Sequence, residues 1–155
     1  GIELDRITGG AAVDGDRETE IPGIFACGNV LHVHDLVDYV SSEAALAGEN
    51  AAAFVLNAKT ADKTHKVIIK AENGVRYTVP QTIDVENMSD SVTVRFRVAD
   101  IYQNRSVSVY YDGKKISSRK KRVLAPGEME TVNLKCQALL DCPDATEIIV
   151  KLEEA

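Results

Sequence analysis

The sequence predicts an α+β protein with two unlike parts, a front segment over residues 1–60 and a β-sandwich over residues 61–155. Beyond residue 66, apolar and polar residues alternate with a period of two, as in half-buried strands, whereas residues 42–58 are rich in alanine with helical spacing. The formal charge also changes, from −7 over the front segment to +1 over the remainder. We therefore expect a linker at about residues 58–65.

The second part alternates in seven segments separated by turn signals, among them Asp112-Gly113, a pair that favours a two-residue hairpin. In the segment SVTVRFRV the apolar residues point to one face, so we expect a core face and a solvated face. Two stacked sheets of this kind match an immunoglobulin-like antiparallel β-sandwich. The apolar positions are Val92, Val94, Phe96 and Val98, and the polar positions are Ser91, Thr93, Arg95 and Arg97. The segments are KVIIKA, VRYTV, TIDVEN, SVTVRFRVA, SVSVYYDGKKISSRKKRV, METVNLKC and EIIVKLE.

The front segment offers one strong helix and two short candidate strands, around RITGGAAV and GIFACG. Sixty residues of this kind do not easily bury enough apolar area to fold independently. The run GIFA, residues 23–26, is continuously apolar, as expected for a strand covered on both faces of an α/β sheet. We expect the segment to be the end of a larger domain.

Composition excludes several classes of protein. With 45% hydrophobic and 27% charged residues, the chain is typical of a soluble globular protein. No apolar run approaches the roughly 18–20 residues of a membrane span. The cysteines, Cys27, Cys136 and Cys142, are odd in number and lack paired spacing, which argues against a disulfide framework and favours a cytoplasmic location.

A basic run between residues 114 and 122 invites a nucleic-acid interpretation. It follows a predicted hairpin turn and contains no interleaved aromatic residues for base stacking. We interpret it as a solvated edge strand protected by charge, and we expect no nucleic-acid partner.

The stretch TEIPGIFACGNV, residues 19–30, is followed after about ten residues by the alanine-rich helix SSEAALAGENAAAFVLN. This order resembles the second flavin-contacting motif of the FAD-dependent pyridine nucleotide-disulfide oxidoreductase family, T-x-x-P-G-(I/V)-(F/Y)-A-x-G-D followed by a helix. The resemblance covers about residues 2–57 and implies the C-terminal portion of such an enzyme. Asn29 replaces the usual Asp, and the chain contains no G-x-G-x-x-G, which would lie upstream.

Four residues are the candidate cofactor contacts. Gly28 lets backbone approach a phosphate or ribityl chain closely, and Asn29 offers a short amide that keeps an acceptor oxygen. A helix beginning near Val40 to Ser42 would direct free N–H groups at the flavin's pyrimidine side, which makes Val40 and Ser41 the other two candidates. The resemblance implies FAD as the cofactor, with NAD(P)H reducing it.

His32 and His34 leave three interpretations open. Imidazoles at i and i+2 in a loop can reach one metal ion, but no second cluster with ligand spacing is visible, so we expect no metal site. Alternatively the loop lies beside the flavin or the mouth of an active site, where a histidine protonates a substrate. In the third interpretation it is an ordinary polar connector. No catalytic residue is assigned.

Two functions are consistent with these patterns. In the first, the chain is the C-terminal fragment of a FAD-dependent, NAD(P)H-linked oxidoreductase and is inactive alone. Its partner is then the upstream part of the same polypeptide, and the sandwich contacts a subunit or an electron-acceptor protein. In the second, the sandwich is a non-catalytic interaction module and the front segment packs against it.

Overall fold

The structure is a computed structural model that describes residues 1–56, 65–85, 87–142 and 144–155. The described residues form a mixed α+β fold, with two α-helices and with most strands in two sheets. The predicted linker, apart from residue 65, lies outside the described residues. The elements are a 3₁₀ turn Gly28–Val30, α1 Val37–Val55, β1 Lys66–Glu72, β2 Val75–Val79, β3 Thr82–Asp84, β4 Ser91–Val98, β5 Tyr102–Tyr111, β6 Lys114–Leu124, β7 Glu130–Lys135, α2 Cys136–Leu140 and β8 Glu147–Glu154.

All seven predicted strand segments form strands, and the fifth contains two of them, β5 and β6, joined at Asp112-Gly113. Both turn residues have positive φ, 40° and 83°, as the predicted hairpin requires. One sheet has the order β3-β1-β8-β5-β6 and the other β2-β4-β7. The prediction of an antiparallel sandwich is wrong for one strand pair, because β1 and β8 pair in parallel. The chain reaches β8 from the other sheet through α2, a crossover that permits the parallel direction.

The main apolar core lies between the two sheets and takes side chains from both. The inward face of β4 follows the predicted alternation, since three of its four apolar residues are fully buried and Val92 is 7% exposed. The other three are Val94, Phe96 and Val98. The binary pattern alone therefore identifies the core side of this strand.

The other face of β4 is only partly solvated, since Ser91 is exposed but Thr93 and Arg97 are half-buried. Arg95 is 6% exposed, because the front segment covers the outer face of the three-stranded sheet. A register shift between Val75 and Tyr77 turns Tyr77 and Val79 to this same outer face, where they join a second, smaller core. The front segment contributes Ala11, Val13 and Leu31 to that core.

Hydrogen bonds fasten the front segment to the sandwich. Gln81 accepts from the Val13 N–H at 2.9 Å through its side chain and donates its backbone N–H to the Val13 carbonyl at 3.0 Å. The Asp35 carboxylate accepts from the Met129 N–H at 3.1 Å. The small sheet therefore lies between the main core and the front segment.

Two predictions for the front segment are corrected. Its candidate strands form only isolated bridges, Leu4 with Ala11 and Glu18 with Phe25, and the GIFA run is at most half-buried. Gly23 at φ 83° turns this run back onto residues 17–19, so no described strand extends beside it. The helix begins at Val37, one turn before the predicted start, because Leu36 is the last residue with extended backbone.

The basic run lies on β6, at the edge of the five-stranded sheet, as predicted. Several of its cations pair with acidic residues of other strands, as Lys121 does with Glu130 on β7 at 2.8 Å and Lys115 with Glu153 on β8. Charge along an exposed edge discourages pairing with another chain.

Candidate functional site

A group of buried charged and imidazole side chains lies where the front segment meets the three-stranded sheet. We call it the Glu43 cluster, and its members are Arg17, His32, His34, Glu43 and Arg95. Except for Arg95, whose side chain is 8% exposed, their side chains are at most 1% exposed. Charged groups are rarely buried unless they are paired, so this site is a specific arrangement.

The Glu43 carboxylate is the centre of the cluster. Its Oε1 atom lies 3.0 Å from Arg17 Nε and 3.6 Å from Arg95 Nη1. Its Oε2 atom lies 3.0 Å from His34 Nε2 and accepts from the Gly28 N–H at 2.9 Å. His32 Nε2 is 3.9 Å from Oε1, beyond hydrogen-bond range.

Helix α1 presents Glu43 on its buried face. Glu43, Ala47 and Asn50 are its buried residues, and they follow the i, i+4, i+7 spacing of one helix face. Much of the remaining helix surface, including several alanines, is exposed. The Glu43 side chain therefore points from α1 into the protein, on the same helix face as the small Ala47 and the polar Asn50.

The turn after Gly28 directs both histidines toward Glu43. Gly28 has φ 70°, a conformation that favours glycine, and a Cβ there would lie 3.3 Å from the Val40 side chain. The Asn29 side-chain oxygen accepts from the His34 N–H at 3.2 Å, which closes the turn. Gly28 and Asn29 thus have roles within the fold itself.

The sandwich supplies the opposite wall of the cluster. The Tyr77 ring meets the His32 ring edge-on, with centroids 5.6 Å apart at 80°. The Arg95 guanidinium carbon lies 5.6 Å from the ring centroid of Tyr39 on α1, within the range of a cation–π contact. Residues far apart in sequence therefore enclose one polar site.

Electrostatics fix the charge state of the carboxylate. Burial by itself raises the pKa of Glu43, but His32, Arg17 and the Gly28 N–H stabilise the carboxylate and together lower its pKa to about 2. Burial lowers the pKa of His34 below its usual value, and its hydrogen bond to Glu43 opposes that shift. His34 is consequently neutral at pH 7, with a lone pair on one ring nitrogen.

The four predicted cofactor contacts lie in different surroundings. Gly28 is buried, Asn29 is exposed, Val40 is half-buried against Gly28, and Ser41 is exposed on α1. The structure brings Gly28 and Val40 together. Because α1 begins at Val37, Val40 and Ser41 lie inside the helix and do not supply its free N–H groups.

The two histidines are not an ordinary polar connector. Their side chains point into the protein, and their ring centroids are 4.5 Å apart. Sequence reasoning noted this pair but missed Arg17, Glu43 and Arg95. A helical-wheel plot of α1 places Glu43 on the same face as Ala47, which is a usable signal. No local pattern marks Arg95, since alternation places it on the solvated side.

Comparison with family models, with curated proteins and with solved structures finds no match to this chain. Among the helices of the described ranges, none combines the length and apolar character needed to cross a membrane.

Acid is expected to destabilise the protein in two stages. The folded-state pKa of His34 lies below its usual 6.5, so the unfolded state binds more protons and stability decreases as pH falls below 6.5. For Glu43, stability present above pH 4.5 is lost as pH falls toward the folded value of about 2. Urea unfolding at several pH values measures both stages.

In that experiment His34→Gln should flatten the first stage, whereas His65→Gln should retain it. His65 lies outside the Glu43 cluster, with Nε2 3.0 Å from the Ala145 carbonyl oxygen. A wild-type free energy of unfolding that stays constant as the buffer is acidified through both stages would contradict the burial of His34 and Glu43.

Proposed function

We propose that this chain is the C-terminal part of a FAD-dependent, NAD(P)H-linked oxidoreductase. In this proposal residues 1–57 complete a FAD domain, and the immunoglobulin-like sandwich is an appended module that contacts a subunit or an electron acceptor. The proposal rests on the motif of residues 19–30 and on the exposed apolar surface of the front segment.

The exposed apolar surface is the observation that carries the proposal. Of the large hydrophobic residues exposed in the described ranges, eleven belong to the front segment and four to the sandwich. Large apolar side chains left exposed in such number in one segment support a contact with further protein. An α/β domain whose remaining strands and helices pack on this segment would cover it. The eleven are Ile2, Leu4, Ile7, Ile24, Val30, Val33, Leu36, Val37, Phe54, Val55 and Leu56.

The backbone of the front segment adds support. Its two candidate strands each pair at a single position, whereas strands of α/β sheets pair along their length with neighbours on both sides. Additional strands supplied by the rest of a FAD domain would extend this pairing. The exposed Asn29 side chain, whose oxygen accepts from the His34 N–H, would offer its amide N–H groups to the ribityl chain. Val37 and Asp38 replace Val40 and Ser41 as the start of the helix that would face the flavin.

The isolated chain is expected to bind FAD weakly or not at all, because one turn and one helix end leave most of the cofactor in water. Absorbance of the purified chain after addition of FAD and gel filtration measures this. Expression together with the polypeptide encoded directly upstream of Gly1 should give yellow protein that NADH or NADPH bleaches. A combined protein that stays colourless after FAD is added would contradict the proposal.

A non-catalytic interaction module is the second candidate. The hydrogen bonds of Gln81 to Val13 and of Met129 to Asp35 favour it, since they show that the front segment packs on the sandwich within this chain. The same exposed apolar surface would then contact another protein. Absence of flavin from the combined protein, with a stable protein complex recovered instead, would favour this alternative.

A further inference from the structure

His32 is buried without a hydrogen bond. Its side chain is 1% exposed, and neither ring nitrogen has a hydrogen-bond partner among the described residues. Native proteins seldom leave a buried polar group unsatisfied, and each such group calls for a ligand or a functional explanation. His34 Nδ1 is also without a partner among these residues.

The nearest candidate ligand atoms converge on a small volume. One ligand atom each from His32, His34 and Glu43 lies within 4.8 Å of the other two. The closest pair, His34 Nε2 and Glu43 Oε2, is separated by 3.0 Å, a spacing compatible with two atoms coordinated to one ion. The fold brings the turn and α1 together at this point, although His34 and Glu43 are nine positions apart in the sequence.

We propose that His32, His34 and Glu43 bind one divalent transition-metal ion of the Zn²⁺ type. Two imidazoles and a carboxylate are a donor set for zinc or non-haem iron, with three protein ligands and at least one open position. No metal site was expected from the sequence, because the pattern around the two histidines did not reveal Glu43 as a third ligand. The inference is independent of the proposed oxidoreductase function.

The surroundings of Glu43 suit a carboxylate ligand. Ligating carboxylates are usually held by outer hydrogen bonds, and here Arg17 holds Oε1 while the Gly28 N–H contacts Oε2.

Arg95 weakens metal binding at this site and therefore provides a specific test. Metal bound at histidines elsewhere on the protein would not respond to a change at Arg95. Its guanidinium lies 3.6 Å from Glu43 Oε1, so its positive charge repels a bound cation across a poorly solvated space. Arg95→Gln is therefore expected to tighten Zn²⁺ binding severalfold. Removal of a surface charge far from a metal would have no such effect.

The experiment is a calorimetric titration of the purified chain with Zn²⁺ at neutral pH, accompanied by visible absorption with Co²⁺. Wild-type protein should bind one equivalent, and the Co²⁺ complex should show the intense bands of a low-coordinate site. His34→Gln and His32→Asn should each weaken Zn²⁺ by more than about tenfold. The chain has three histidines, so His65→Gln is the matched control and should bind as wild type does.

Several results would overturn the proposal. These are no saturable Zn²⁺ binding by wild-type protein, equal affinity in wild type and His34→Gln, or loss of binding in His65→Gln. Circular dichroism confirms that each variant is folded. If both cluster histidine variants unfold, the Arg95→Gln titration and the wild-type Co²⁺ spectrum decide. The site is rejected if Arg95→Gln binds Zn²⁺ with the affinity of wild type and the Co²⁺ spectrum is that of the aqueous ion.

Discussion

Glu43→Gln is expected to lower the free energy of unfolding by about 3–5 kcal/mol, the cost of breaking a buried ion pair by removing one partner. The substitution keeps the size of the side chain but removes the negative charge between Arg17 and Arg95. Both guanidiniums would then lack their nearest counter-charge in a nearly solvent-free space. Urea denaturation followed by circular dichroism at pH 7 measures the change.

Glu49→Gln is the matched control for this prediction. Glu49 lies on the same helix but is exposed, so the same chemical change should stay within about 0.5 kcal/mol of wild type. Combining Glu43→Gln with Arg95→Gln removes one cation as well and should cost less than the sum of the single changes. An effect of Glu43→Gln no larger than that of Glu49→Gln would show that the cluster is solvated.

Phe96→Ala should cost about 3–5 kcal/mol, because it deletes a fully buried ring from the core between the sheets. Phe96 lies in the middle of the small sheet, where β4 pairs with both β2 and β7, so neighbouring backbone cannot collapse freely into the space. The loss comprises the transfer free energy of the ring and the cavity that remains. The midpoint of urea unfolding gives the measurement.

Ile101→Ala provides the comparison for Phe96→Ala. Ile101 is 65% exposed in the connection between β4 and β5, so its truncation should change stability by less than about 0.5 kcal/mol. Similar losses for the two variants would mean that the pairing register of β4, and with it the inward direction of Phe96, is incorrect.

The sandwich was largely predictable because strand alternation and turn chemistry are local. Each predicted segment became a strand, and the Asp112-Gly113 turn has the conformation that its residues favour. The pairing of strands is not local. The parallel contact of β1 with β8 joins opposite ends of the sandwich, and no pattern within either strand specifies its neighbour.

The candidate site was predictable only in fragments. The sequence drew attention to Gly28, Asn29 and the two histidines, and these do lie in one turn. Glu43 comes from one face of α1, and Arg95 comes from the side of β4 that was predicted to be solvated. Arg95 is buried only because the front segment covers that side. Such covering cannot be read from the alternation of one strand.

The order of residues by itself determined the strand-rich second part, its inward apolar face and the alanine-rich helix, since these depend on periodicities of two and of 3.6 residues. Only the tertiary structure decided that the front segment packs on the small sheet and encloses a carboxylate, two imidazoles and two guanidiniums. The physical reason is that burial of charge is a property of surfaces brought together from distant positions. The residues adjacent in sequence therefore do not show whether a charged side chain is buried.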